Sequence, residues 1–405
     1  MGGGHAHRAT SGIDRIEVGA TARVALLAGL GVALVATLVG LVVWWPPGDV
    51  ADQAAESGGP AAQFAADGVT FPSGEVVSVA PRCPGKGLPD GSGCSTLEVE
   101  VEGEDLTVQV AVPPEVLDSG VAEGDQVELL RTPTPDAVDG AEASYSYFAT
   151  DRDGTMLWLL LFFVIVVVAI ARWRGLFALF GLAFGGLVIW WWVLPALLDG
   201  APGVGVALTG ASMIMFVVLY TTHGFSLRTS TALAGTLLGI LLTAGLGVIA
   251  IGNAHLTGIS DEAGAILATF GELDFQALLG CALVIAGLGV LNDVTITQAS
   301  AVWELRAASP GASRTEIFNR AMRIGRDHIA STIYTIVFAY VGTALILLMV
   351  LRVYDRPLID LLSTEQLAEE VVRTLVTSIG LVLAVPVTTG LAALIASPRP
   401  HEVGT

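Results

Sequence analysis

The chain has 405 residues, 53% of them hydrophobic and 14% charged, with a formal net charge of −19. A soluble domain carries about a quarter of its residues as charged groups, and no soluble core could hide this much apolar side chain. One soluble globular domain is therefore excluded.

Residues 1–22 read as a polar, basic tail, and 23–45 as the first apolar block. A hydrocarbon layer of about 30 Å needs about 20 helical residues, and seven more blocks of that kind follow. They lie at 155–171, 175–197, 203–222, 230–252, 275–305, 328–352 and 370–396, each bounded by charge, Pro or Gly. The fold class predicted is an α-helical integral membrane protein of about eight transmembrane helices. The first block resembles a signal peptide, but it ends in Trp44, Trp45 and Pro46, an aromatic interface belt suited to an uncleaved anchor.

Between the first two blocks, residues 46–68 are small and polar without a period that buries a face, and read as a linker. Residues 69–131 switch to short alternating runs: Gly74–Val79, Leu97–Val101, Leu106–Val112 and Asp125–Leu130. Four or five such strands predict a small all-β module, OB-like or barrel-like, with a connector at 132–154. Glu98, Glu100 and Glu102 share one strand face. That face reads as solvated, or as one that binds cations or a basic partner. Cys83 and Cys94 bracket a Pro- and Gly-rich loop and are predicted to pair, worth roughly 3 kcal/mol by chain entropy. The competing reading, a metal or redox pair, is disfavoured by ten intervening residues and no nearby His. Cys281 sits in a membrane block as a small packing residue.

Orientation follows from the basic residues, which cytoplasmic loops collect. With the N-terminus inside, the cytoplasmic segments receive Arg8, Arg15, Arg23, Arg172, Arg174, Arg228, Arg306, Arg314, Arg320, Arg323, Arg326 and Arg399. Most of the 38 acidic residues then fall outside. This predicts a bacterial plasma-membrane protein with both termini cytoplasmic, a short C-terminal tail at 397–405 and residues 46–152 outside.

The membrane segments carry few charges, and those few are informative. Asp293 stands in mid-block, where a carboxylate costs about 2.5–3.5 kcal/mol and is a proton or cation site by default. Thr297, Ser300 and Glu304 follow at helical spacings on the same face, and Gly289 and Ala286 extend it as a groove. Thr295 and Gln298 lie off that stripe, toward other helices. Glu304 and Arg306 suit an interfacial salt bridge equally well. In the next block His328, Thr332, Thr335, Ala339 and Gly342 share a face, and Arg326, Asp327 and His328 form a gating or structural cluster at its entry. Pro386 in the last block frees a backbone carbonyl, a common device at ion and substrate sites. Packing is the competing reading for the hydroxyl residues.

Lys86 is the only lysine, and it falls in the exterior module. A Walker A loop, a Schiff base and a Ser-Lys dyad are thereby excluded. No His-Glu-x-x-His, Gly-x-Ser-x-Gly or intramembrane aspartate pair occurs. The sequence predicts no enzyme activity, no cofactor, no metal site and no nucleic-acid partner. Its partners are the lipid bilayer, a small solute or ion, and either a second copy or an envelope protein.

Asp151-Arg152, His223-Gly224 with Arg228, Gly289-Val-Leu-Asn-Asp293-Val, Glu304 and Gly325-Arg326-Asp327-His328 leading to Thr335-x-x-Phe338-Ala339-Tyr340-x-Gly342 resemble the YibE/F family of bacterial membrane proteins. The resemblance covers about residues 68–350 and departs from the family pattern at Asn292, Thr297 and Gln298. It implies the membrane architecture and assigns no biochemical activity. The function predicted from the residues is a secondary permease or proton- or cation-coupled transporter. The alternative is a non-transporting envelope protein whose exterior module recognises a partner or senses a signal.

Overall fold

The computed structural model describes residues 18–48, 68–83, 94–133, 143–268, 273–353 and 357–396. Most of the predicted linker and of the N-terminal tail, the C-terminal tail, Lys86 and part of the connector lie outside them. The chain forms two compact units, one of residues 55–169 and one of residues 1–54 with 170–405.

The first unit holds five antiparallel strands: β1 (Ser73–Val79), β2 (Thr96–Val101), β3 (Thr107–Ala111), β4 (Gln126–Pro133) and β5 (Ala143–Thr150). They are ordered β3-β2-β1-β4-β5, and the edge strands β3 and β5 approach each other, so the sheet curls into a barrel-like module. The four predicted strands appear within one to three residues of their expected bounds. The fifth lies in the stretch read as connector, where Tyr145 and Tyr147 alternate with Ser144 and Ser146. A single turn, α2 (Pro114–Asp118), links β3 to β4. Period-2 alternation places Val76, Leu97, Val99, Val101, Val110, Val127 and Leu129 inside. Cys83 and Cys94 are disulfide-bonded as predicted, with Cα atoms 5.0 Å apart.

The helical elements are α1 (Ala20–Val43), the long α3 (Asp153–Leu198), α4 (Gly203–His223), α5 (Leu227–Asn253), α6 (Glu262–Leu267), α7 (Phe275–Ala308), α8 (Arg314–Thr343), α9 (Leu345–Val353) and α10 (Glu365–Ile395). Six of these, α1, α3, α4, α5, α7 and α10, are long and apolar enough to cross a membrane, and α8 with α9 makes a seventh if that bent pair is one span. The prediction was eight. Its second and third blocks both fall within the 46 residues of α3, which is two helices joined across a kink at Arg172, whose φ of 56° and ψ of −136° are not helical. Its seventh block is bent by 62° between α8 and α9. There the Thr343 hydroxyl donates to the Tyr340 carbonyl at 2.8 Å, competing with the helix's own ladder. Ahead of Pro195, α3 passes through a π-turn at Ile189–Val193, because proline cannot donate to the preceding turn.

Small residues let the helices of the second unit approach closely. A Cβ on Gly40 of α1 would strike Thr209 of α4, and one on Gly205 would strike the Trp44 indole. Gly181 and Gly185 of α3 lie against Val218 and Ile214 of α4. In α5, Gly235 receives Thr388 of α10 and Gly239 lies between Leu291 and Ala384. These glycine pairs serve contacts within one chain. Helices α5, α7 and α10 form the tightest group.

At one end of this group, Val18 and Ala396 pair across an isolated bridge. Val302, Trp303, Ile317, Ala321 and the last turn of α10 form an apolar cluster there with Ala22, Leu26 and Leu227. Arg228, Arg314 and Arg320 belong to the helix starts at this same end.

Candidate functional site

Among the described residues, helices α7, α8 and α10 carry nearly all the polar atoms that the membrane unit buries without a hydrogen-bond partner. Among the described residues, buried side-chain atoms without a hydrogen-bond partner occur on Asn292, Gln298, Arg306, His328, Glu369, Glu370, Arg373, Ser378 and Thr388; only Trp192 and Thr222 lie elsewhere. Along α10 this set runs from Glu369 to Thr388, nineteen positions and about 30 Å of helix. That equals the thickness of a hydrocarbon layer. Each orphan costs about 1–3 kcal/mol unless water or an ion satisfies it.

The Arg-rich half of the seam is built by glycine. Gly325 of α8 faces α10 so closely that a Cβ would stand 2.8 Å from Val385 and 3.1 Å from the Gln298 amide. Gln298 is fully buried; its Oε1 accepts from the Thr389 hydroxyl at 3.0 Å and its Nε2 has no partner. Three residues earlier, the Thr295 hydroxyl meets that of Thr236 on α5 at 2.6 Å, both fully buried.

One turn further from the Arg-rich end, α7 and α8 bring Asp293 and His328 together. The His328 Nε2 lies 3.4 Å from an Asp293 carboxylate oxygen, within ion-pairing distance but outside hydrogen-bonding geometry. The Asp293 side chain is 65% exposed and that of His328 28%. Asp293 thus stands on the open side of α7 with Ala286 and Gly289, and no atom lies within 4 Å of where a Gly289 Cβ would be. Thr297 and Ser300 are half-buried, and Glu304 is exposed. Thr335 is exposed, its hydroxyl bonded to the Ser331 carbonyl at 3.3 Å. Arg326 and Asp327 are exposed, and Pro386 is half-buried within α10. Among the described residues predicted for the path and the gating cluster, Asp293 and His328 are the pair brought within ion-pairing distance.

Arg306 does not pair with Glu304. It is 2% exposed and donates to the carbonyls of Ala396 at 3.0 Å and Ala312 at 2.5 Å, fastening the ends of α7 and α10.

The other half of the seam was not singled out in the sequence, because Glu369 and Glu370 fall at the edge of the last apolar block and read as interfacial. In the fold, Glu369 is 5% exposed and accepts from the Ser260 hydroxyl at 2.8 Å. Glu370 and Arg373 pair at 2.7 Å. Tyr340, Glu370 and Thr374 line a cavity of about 290 Å³ between α8 and α10. Thr377, the next polar residue inward, lies against Gly287 of α7.

Long apolar helices, close glycine contacts and a thin polar seam define a multi-pass membrane protein. A family model described as YibE/F-like protein matches residues 159–398, more than half of the chain, and the chain belongs to that family. The match begins after the β-module and extends past the end of α10. No curated protein and no solved structure matches the chain.

Proposed function

We propose that this chain is a secondary permease coupled to protons or small cations, not an enzyme, and that its path follows the α7–α8–α10 seam. The observation carrying this reading is the alignment of orphaned buried polar atoms over one membrane thickness on three neighbouring helices. Asp293, beside His328, binds the coupling ion near the Arg-rich end, and Thr297, Ser300 and Thr335 supply hydroxyl oxygens along the open face. Pro386 cannot donate to the preceding turn, so α10 keeps a free carbonyl and a bending point beside the seam. Glu304 and the Arg326–Asp327 pair form its charged mouth. The test is reconstitution in liposomes with imposed proton or sodium gradients. The wild-type chain moves the ion faster than empty vesicles, and Asp293→Asn lowers that flux at least tenfold, about 1.4 kcal/mol, while staying monodisperse. Undiminished flux in the variant overturns the coupling role, and no flux from wild type overturns the permease.

The topology proposed is eight crossings with both termini in the cytoplasm. Parity supports it. Trp44 at the end of α1 stacks on Gly205 at the start of α4, so both lie at one end of the unit. The later half of α3 runs antiparallel to α4, with Gly181 on Val218 and Gly210 on Val193, which places residue 175 at the other end. An odd number of crossings between Trp44 and residue 175 is what the proposed topology requires, and the apolar stretch 155–171 is long enough to supply one. The concentration of arginine at the Val18–Ala396 end supports calling that end cytoplasmic.

One observation favours the alternative role for the β-module. Ser73, Glu75, Glu100, Glu102, Asp105 and Asp151 are among the residues lining an acidic groove of about 680 Å³, suited to a basic envelope partner. Its strand order and the β3–β5 approach also fit the OB-like reading. Deleting residues 69–131 separates the roles: flux survives in a permease, whereas a recognition protein loses all function.

A further inference from the structure

Glu369 is the most deeply buried carboxylate among the described residues of the membrane unit, and its surroundings do not suit an anion. One oxygen accepts a single neutral hydroxyl, that of Ser260, and the other has no donor at all. The nearest cation in sequence, Arg373 one turn on, spends its Nη1 on Glu370 and leaves its Nε buried without a partner. Glu365, a turn earlier, is occupied by the backbone N–H and hydroxyl of Thr257 at 2.6 and 2.9 Å. Asp261 caps α6 through Gly264. These acids add negative charge around Glu369, while α5 and α7 present the apolar Ile251, Leu279 and Leu283 to this part of α10. An unpaired carboxylate in such a place costs several kcal/mol, whereas the neutral acid keeps the Ser260 bond and needs no counter-ion.

A bound metal is the other way to neutralise such a group. Among the described residues no three His, Cys, Asp or Glu side chains are placed to hold one. The geometry points to Glu369 as a proton-binding site within the membrane unit, lying where the loop after α5 covers the start of α10. That it is the entry of the ion path at this end rests on the permease reading; that it holds a proton does not.

The test uses the full chain in liposomes and infrared spectroscopy across about pH 6 to about pH 9, with peptide mapping after dicyclohexylcarbodiimide, which adds to protonated carboxyls in apolar surroundings. Wild type is expected to show a protonated-carboxyl stretch that Glu369→Gln lacks and Glu370→Gln keeps. Carbodiimide adducts at Glu369 fall about tenfold per pH unit once the site titrates. Identical carboxyl bands in wild type and Glu369→Gln overturn the proposal, because an ionised Glu369 contributes no such band. A retained band in a chain that moves no ion sinks the permease and leaves the proton site standing. Wild-type flux in Glu369→Gln with the band gone removes only its place in the path.

Discussion

The Arg306 guanidinium donates from Nε to the carbonyl oxygen of Ala396 at 3.0 Å, binding the last turn of α7 to the end of α10. A buried cation held by backbone carbonyls stabilises through geometry, since its planar fork reaches the Ala312 carbonyl as well. Arg306→Met leaves both carbonyls short of a donor and is expected to cost about 2–4 kcal/mol. Arg306→Lys recovers only part of it. Thermal aggregation midpoints in detergent rank wild type above Lys above Met, and equal midpoints would show that the latch carries no energy.

Gly325 and Gly289 make opposite predictions for the same substitution. Gly325→Ala drives a methyl into Val385 and Gln298 and is expected to destabilise by about 1–3 kcal/mol. Gly289→Ala meets nothing within 4 Å and stays within about 0.5 kcal/mol of wild type. Parallel unfolding in mixed micelles reads both, and a penalty at Gly289 would mean that the open face of α7 is covered by something in the assembled protein.

Within the β-module, Glu75 of β1 stands directly across from Glu100 of β2. Like charges in a cross-strand pair repel by about 0.2–1 kcal/mol. Glu100→Gln is therefore expected to slow hydrogen exchange in β1 and β2, by more at low salt than at high salt. Faster exchange in the variant would indicate that the pair holds a bound cation.

Tyr145 of β5 ties that strand to Glu104 and to Arg131 of β4. Its hydroxyl donates to a Glu104 carboxylate oxygen at 2.6 Å and accepts from the Arg131 Nε at 3.2 Å. Partial burial, and next the bond to Glu104, raise its pKa above the usual 10.0. A raised folded pKa means that the folded state holds the proton more tightly. The contribution is then complete below pH 10 and is lost as pH climbs through the folded value. Phenolate absorbance should show the Tyr145 titration moving to lower pH in Glu104→Gln, and an unmoved titration would remove the Glu104 bond as a cause.

How much of this was legible in the sequence differs sharply between the two units. In the β-module, strand alternation predicted the buried set, because one face of such a strand meets water and the other does not. Ala143–Thr150 escaped since its alternating residues are tyrosine and serine, which are amphipathic or small. In the membrane unit, helical spacing puts Asp293 with Thr297 and sets Thr295 and Gln298 apart, but it cannot say which face turns inward. The lipid is as apolar as the helix interior, so hydrophobicity carries no sign of direction there. The tertiary structure decided that Thr295 and Gln298 meet α5 and α10 while Asp293 faces the open side.

Composition and spacing by themselves determined that the chain carries membrane-like helices, where the first four β-strands lie and which cysteines pair, since each depends on length, polarity or chain closure along the sequence. Only the tertiary structure decided that Glu369 is buried beside the half-buried pair Glu370 and Arg373, that Arg306 serves Ala396 in place of Glu304, and that Gly325 brings α8 against Gln298. Those relations join residues up to ninety positions apart, and close packing of specific side chains, which no local period encodes, fixes them.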